Sequence, residues 1–149
     1  MLFRSNEKNY AKALDHINKA IQLQSYADYL YGYRGEILLQ IKRLDDALKD
    51  FQRAYELNNG DPNHPEGIAA IYFRMEQPDS GILYTQKMLE LDSTRAIGYY
   101  MLSQAYIKQK DFKKAQEYAD RYAGFVYNDS TLLPYLQHLL SSLKKAGGS

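Results

Sequence analysis

The chain has no cysteine and no tryptophan, and only four prolines and nine glycines in 149 residues. Without cysteine there is no disulfide, no thiolate nucleophile and no thiolate metal site, whatever the compartment. No apolar run approaches the ~20 residues that a membrane-spanning helix needs. The start, Met1-Leu2-Phe3-Arg4-Ser5, lacks the basic-then-apolar layout of a secretory signal, so a cytoplasmic location is the default expectation. Neither sign of charge dominates. The 19 basic and 18 acidic residues leave +1, so no whole-chain field favours nucleic acid or an anionic membrane. Runs of β-branched residues with period two are missing, so strands are not expected. There is also no glycine-rich phosphate loop, since Gly147-Gly148 lies at the end and follows no strand.

What is present is a repeat. Ala13, Ala47, Gly81 and Ala115 stand 34 residues apart; seven residues after each come Ala20, Ala54, Met88 and Tyr122, and three further on Leu23, Leu57, Leu91 and Phe125. A period of that length belongs to solenoids, in which each supersecondary unit contacts mainly its neighbours along the chain. Within a unit the pattern is helical. From residue 44 to 57, Leu44, Ala47, Leu48, Phe51, Ala54, Tyr55 and Leu57 follow three- and four-residue steps, with Asp45, Lys49, Asp50 and Arg53 on the polar side. Segment 112–125 does the same with Phe112, Ala115, Ala119, Tyr122, Ala123 and Phe125, and Asp111 is placed to cap it. Turn chemistry separates the helices at Asn58-Asn59-Gly60-Asp61-Pro62, Gln77-Pro78-Asp79, Leu91-Asp92-Ser93 and Asn128-Asp129-Ser130.

Two helices in each 34-residue unit resemble the tetratricopeptide repeat family over almost the whole chain. The family's small position in the first helix matches Gly35, Ala69 and Ser103. Its bulky position four residues earlier matches Tyr31, Pro65 and Tyr99, and its large position three later matches Leu38, Tyr72 and Tyr106. In the second helix Ala47, Phe51 and Ala54 match best. The pattern departs from the family at Arg34, where leucine is the rule, at Pro65, Gly81 and Thr85, and at Ser25, Asn59, Ser93 and Tyr127, which replace a closing proline. The resemblance implies an all-α, right-handed α-solenoid of stacked antiparallel helical hairpins with a C-terminal capping helix. The expected division is a partial repeat over 1–27, repeats at 28–61, 62–95 and 96–129, a capping helix over 130–145 and a flexible tail over 146–149. Counting back one period truncates the first unit's first helix to about one turn.

Catalytic constellations are missing. His16, His64 and His138 lie in different units without helix-spaced partners and read as solvated or rim histidines, so no metal site and no cofactor are expected. Asp45-Asp46 should face water, and no nucleophile has a base at a supportive spacing. An enzyme is not expected. Lys108, Lys110, Lys113 and Lys114 cluster, but Asp111 and Glu117 interrupt them, so RNA binding ranks below protein binding.

The resemblance also implies a concave face lined by the first helices. Its groove positions fall on Tyr29, Gly32, Tyr33, Glu36, Leu39 and Gln40; on Asn63, Glu66, Gly67, Ala70, Phe73 and Arg74; and on Ile97, Tyr100, Met101, Gln104, Ile107 and Lys108. Tyr135 and His138 would come from the last helix. Relatives that grip acidic C-terminal tails of heat-shock chaperones use basic residues and asparagine there. Tyr33, Glu36, Gly67 and Met101 occupy those places here, so a free-carboxylate clamp is not expected. The leading expectation is a non-enzymatic protein-interaction module. It would hold a peptide or helix of a partner protein against Tyr29, Tyr33, Glu36, Gln40, Arg74, Tyr100, Met101, Gln104, Lys108 and Tyr135. Tyrosine offers broad contact with a polar tip, although the same rings are equally able to pack between repeats. The alternative is a structural or engineered scaffold that forms homo-oligomers through the partly uncovered first hairpin.

Overall fold

A computed structural model describes residues 2–147, with side chains from residue 6 onward. Eight α-helices and one 3₁₀ turn follow one another: α1 Leu2–Leu23, α2 Asp28–Gln40, α3 Leu44–Leu57, α4 Asn63–Arg74, α5 Pro78–Leu91, α6 Ala96–Lys108, α7 Phe112–Val126, the turn Ser130–Leu132 and α8 Leu133–Gly147. Helices α2 and α3, α4 and α5, and α6 and α7 pack as antiparallel hairpins, and each hairpin stacks on the next. There is no strand among the described residues.

The chain reverses inside each hairpin by the same device. Lys42, Glu76 and Lys110, again 34 residues apart, take left-handed backbone angles with φ of 63°, 57° and 61°. The following amide then reaches back to the last turn: Arg43 N to Leu38 O at 2.8 Å, Gln77 N to Tyr72 O at 2.9 Å, Asp111 N to Tyr106 O at 3.0 Å. These paired bonds satisfy carbonyls that a helix end otherwise leaves bare. Asp111 also caps α7, its carboxylate accepting from Lys114 N at 3.2 Å. Between hairpins a different device recurs. Asp61, Asp92 and Asp129 each accept the amide two residues on, from Asn63, Thr94 and Thr131 at 2.9–3.0 Å.

Small residues let the helices close. Ala47, Ala54, Ala69, Ala115 and Ala119 have no exposed surface. Phe51 lies between Gly35 of α2 and Gly67 of α4, so close that a Cβ on Gly67 would stand 2.4 Å from its ring. Ser103 takes the small position of α6 and donates to Ala115 O of α7 at 2.8 Å, so its buried hydroxyl is satisfied. Many of the 15 tyrosines are mortar: Tyr72 stacks on Tyr84, Tyr99 on Phe125 and Tyr106 on Tyr118, with centroids 5.5–5.8 Å apart. Tyr31 and Tyr99 donate to the carbonyls of Ser25 and Ser93.

Three sequence expectations need correction. The first hairpin does not have a one-turn helix followed by another: α1 is one continuous helix of 22 residues, because nothing between Leu2 and Leu23 is a proline or glycine that would break it. The capping segment begins with a 3₁₀ turn, and α8 runs to Gly147, with Pro134 in its first turn; Ala146 and Gly147 of the expected tail are helical, and 148–149 lie outside the described residues. Asp50 does not lie on a solvated face. It is buried and forms a two-pronged ion pair with Arg34, Nε to Oδ2 and Nη2 to Oδ1 at 2.7 Å each. That pair occupies the room of the family's leucine, and Arg34 also donates to Asn18 of α1 at 3.0 Å.

Candidate interaction groove

Helices α2 and α4 touch, and so do α6 and α8, whereas no comparable contact joins α3, α5 and α7 among the described residues. At these two junctions the first helices, together with α8, approach each other more closely than the second helices do. Residues on their free faces are those expected to line a groove, and they fall into two patches with a basic edge.

The first patch is on α2. Tyr29 and Tyr33, about half exposed, meet edge to face with centroids 6.2 Å apart. With Glu36 they border a hollow of about 180 Å³ whose other walls are Gly32, Phe51, Asp61, Asn63 and His64. Tyr29 donates to Gln24 at 3.1 Å, which orients the ring. The second patch spans α4 and α6. Ala70, Phe73, Met101, Gln104, Ala105 and Lys108 line a hollow of about 210 Å³, apolar on its floor and basic at its mouth. Beside it Tyr100 packs against Tyr122 and edge-on against Tyr135 of α8, at 5.6 and 5.8 Å. The Tyr100 hydroxyl accepts from Gln104 at 2.9 Å and lies 3.4 Å from His138 Nδ1. Burial, with Tyr135 adding to it, pushes the Tyr100 phenol above its usual range, so it stays neutral as a hydrogen-bonding tip.

Gln40, Arg74 and Lys108 occupy one position in successive units, all exposed at the C-terminal ends of α2, α4 and α6. Gln40 and Arg74 border neither hollow; Arg74 donates to Leu39 O at 3.5 Å. Cations suit a helix C-terminus, so the placement of Arg74 and Lys108 already has a structural cause.

Sequence reading missed two wall elements. Ala105 shares the second hollow although it is not a groove position of the pattern. His64 is not a rim histidine as expected: it is 2% exposed, with Nε2 2.8 Å from Asp28 Oδ2 and 3.7 Å from Asp61 Oδ2. The signal was in the register. His64 shares its repeat position with Leu30 and Gly98, and an apolar residue one unit earlier marks a buried position. Gly32 packs beside it, and a Cβ there would stand 3.4 Å from the imidazole, in ordinary contact. His16 and His138 are exposed, as expected.

Known proteins agree with this architecture. The family model described as tetratricopeptide repeat matches residues 29–61 and 96–123. Anaphase-promoting complex subunit 3 of Schizosaccharomyces pombe is 25% identical over 117 residues, 78% of this chain but 18% of that protein. This chain therefore spans under a fifth of that curated relative. Among solved structures, a tetratricopeptide repeat protein from Parabacteroides merdae superposes with a TM-score of 0.82 at 14% identity, over 97% of this chain and 56% of that one. The first such domain of Spaghetti (RPAP3), bound to an HSP90 peptide, superposes with a TM-score of 0.74 at 15% identity, over 83% and 94%. No helix among the described residues is long and apolar enough to cross a membrane.

Proposed function

Since this chain belongs to the tetratricopeptide repeat family, whose domains are generally non-enzymatic interaction modules for proteins or peptides, we propose that its inner face holds a peptide segment of a partner protein. The observation that carries the reading is the pair of aromatic and apolar patches on the first helices. Tyr29 and Tyr33 present an exposed aromatic step at one end, and the Phe73–Met101 hollow with Tyr100 and Tyr135 offers apolar anchorage at the other. Rigid aromatic anchors of this kind concentrate binding energy, because they bury much area while losing little side-chain entropy. The HSP90 peptide bound to the RPAP3 domain supports peptide binding as something this fold can do. Glu36 and the phenols in place of a basic clamp separate this chain's ligand from an acidic C-terminal tail.

The test is a peptide selected from a random display library on the intact protein, titrated against variants. Tyr33→Ala and Tyr100→Ala should each weaken binding by about 1–3 kcal/mol, as for interface hot spots, while Lys113→Ala on the other side leaves it unchanged. Unchanged affinity in both tyrosine variants, with helicity intact, refutes the groove assignment.

A second reading, self-association through the first helix, is supported by one observation. Ala13 and Ala20 of α1 are only half-buried, whereas Ala47 and Ala54, one unit on, are sealed completely. On this reading the α1 face carrying Ala13 and Ala20 would be the contact surface with another copy. Light scattering behind size exclusion at several concentrations tests it, and a monomer throughout removes it.

A further inference from the structure

Asp28, Asp61 and His64 converge where the first full hairpin meets the second. One ligand atom from each lies within 4.8 Å of the others. Asp28 opens α2, Asp61 ends the connecting turn and His64 sits in the first turn of α4, so the three bridge successive units. The cluster is not balanced by the protein's own groups. Among the described residues neither carboxylate is paired with a lysine or arginine; Asp28 is met by His64, the Asn58 amide at 3.1 Å and the Tyr29 backbone amide. A neutral imidazole carries one proton and cannot serve both carboxylates through Nε2. If that proton sits on Nε2 and goes to Asp28, Asp61 Oδ2 at 3.7 Å is left facing the ring without a donor. His64 Nδ1 is also the one buried side-chain polar atom without a hydrogen-bond partner among the described residues.

The next junction along the solenoid makes the imbalance specific. One period after Asp61 stands Arg95, whose guanidinium pairs with Glu66, lies 3.4 Å from Asp92 and donates to Asn63 at 2.9 Å. There the chain supplies its own cation to the acidic groups at the junction. At the earlier junction the residue in Arg95's position is itself an acid, Asp61, and beside it lie Asp28 and the His64 imidazole rather than a lysine or arginine.

We propose that Asp28, Asp61 and His64 form a binding site for a divalent transition cation of the zinc class, which clamps the first two full hairpins together. One imidazole nitrogen and two carboxylate oxygens suit zinc, cobalt or nickel, whereas calcium and magnesium favour all-oxygen sets. Metal–ligand bonds of 2.0–2.1 Å at a tetrahedral centre set ligand atoms about 3.3 Å apart, and the two separations from Nε2, 2.8 and 3.7 Å, bracket that value. The carboxylates are partly exposed, which leaves an entry path and a fourth position for water. Because His64 and Asp61 also border the Tyr29–Tyr33 hollow, an occupied site would fix the walls of that patch.

The experiment uses the untagged, metal-stripped protein. Zinc is titrated calorimetrically, and cobalt serves as an absorption probe of coordination. One equivalent should bind saturably and raise the melting temperature, with magnesium doing neither. Asp61→Asn keeps an oxygen for the Asn63 amide and should weaken zinc at least about tenfold. His64→Leu, the residue one unit earlier, should fold and lose the site, while His16→Ala and His138→Ala leave it intact. Failure of the wild-type protein to bind saturably, or saturable binding that survives His64→Leu, overturns the proposal.

Discussion

A charged pair replaces an apolar contact at Arg34 and Asp50, and the consequences are those of desolvated charge. Asp50 is buried and Arg34 only a quarter exposed, so each depends on the other. Asp50→Ala leaves a guanidinium in a half-closed site. We expect a loss of about 2 kcal/mol in urea unfolding, below the 3–5 of fully buried pairs because water reaches Arg34. The double variant Arg34→Leu with Asp50→Ala should recover most of it; a double-mutant cycle with no coupling would contradict this. The sequence made Arg34 visible as an anomaly but could not pair it, because Asp50 lies 16 residues away on what reads as a polar face. At Asp92 the argument concerns protons. The Thr94 hydroxyl and amide, then Arg95, hold its carboxyl below the usual 3.8. Its contribution is therefore present above that value and is lost as the pH falls through the lower, folded one. Asp92→Asn should lower the melting temperature at neutral pH and narrow its gap to the wild type in acid. A gap that grows in acid would reverse the sign.

At the level of elements, two features repeat with the 34-residue period, and both were only half legible. The small and large positions that seat one helix on the next can be read from the sequence, since Gly35, Ala69 and Phe51 fall on them. That Gly67 also faces Phe51 requires the third dimension. Gly67→Ala should cost about 1–3 kcal/mol through overpacking, even though alanine favours the helix itself. Phe51→Leu in the same chain should relieve part of that cost. The hairpin turns were placed by Gln77-Pro78-Asp79 and Asp111, but the left-handed residue in each was not, because it is lysine or glutamate rather than glycine. Lys42→Gly and Lys110→Gly should each stabilise by about 0.5–1 kcal/mol, since glycine adopts positive φ without a Cβ penalty. Chemical denaturation measures it, and a destabilised Lys42→Gly would show that the lysine side chain contributes more than its backbone strain costs. The continuity of α1 was missed for a related reason: the period predicts a break near residue 8, yet no residue there enforces one.

For the whole molecule, the direction of curvature decides function, because it selects which helices line a concave face. The expected groove residues divide in three dimensions into the Tyr29–Tyr33 patch and the Phe73–Met101 hollow with the Tyr100–Tyr135 cluster beside it, while Gln40 and Arg74 border neither hollow. Register alone marks these positions as candidates, because each recurs at one phase within its unit. It could not tell which tyrosines remain free: Tyr72, Tyr99 and Tyr106 are taken up in stacking between helices, whereas Tyr29, Tyr33 and Tyr135 stay about half exposed. The most direct test is an amide chemical-shift map of the intact chain with a display-selected peptide bound. The account predicts perturbations concentrated on α2, α4, α6 and the start of α8, strongest around Tyr33 and Met101. Perturbations confined to α3, α5 and α7 would contradict it.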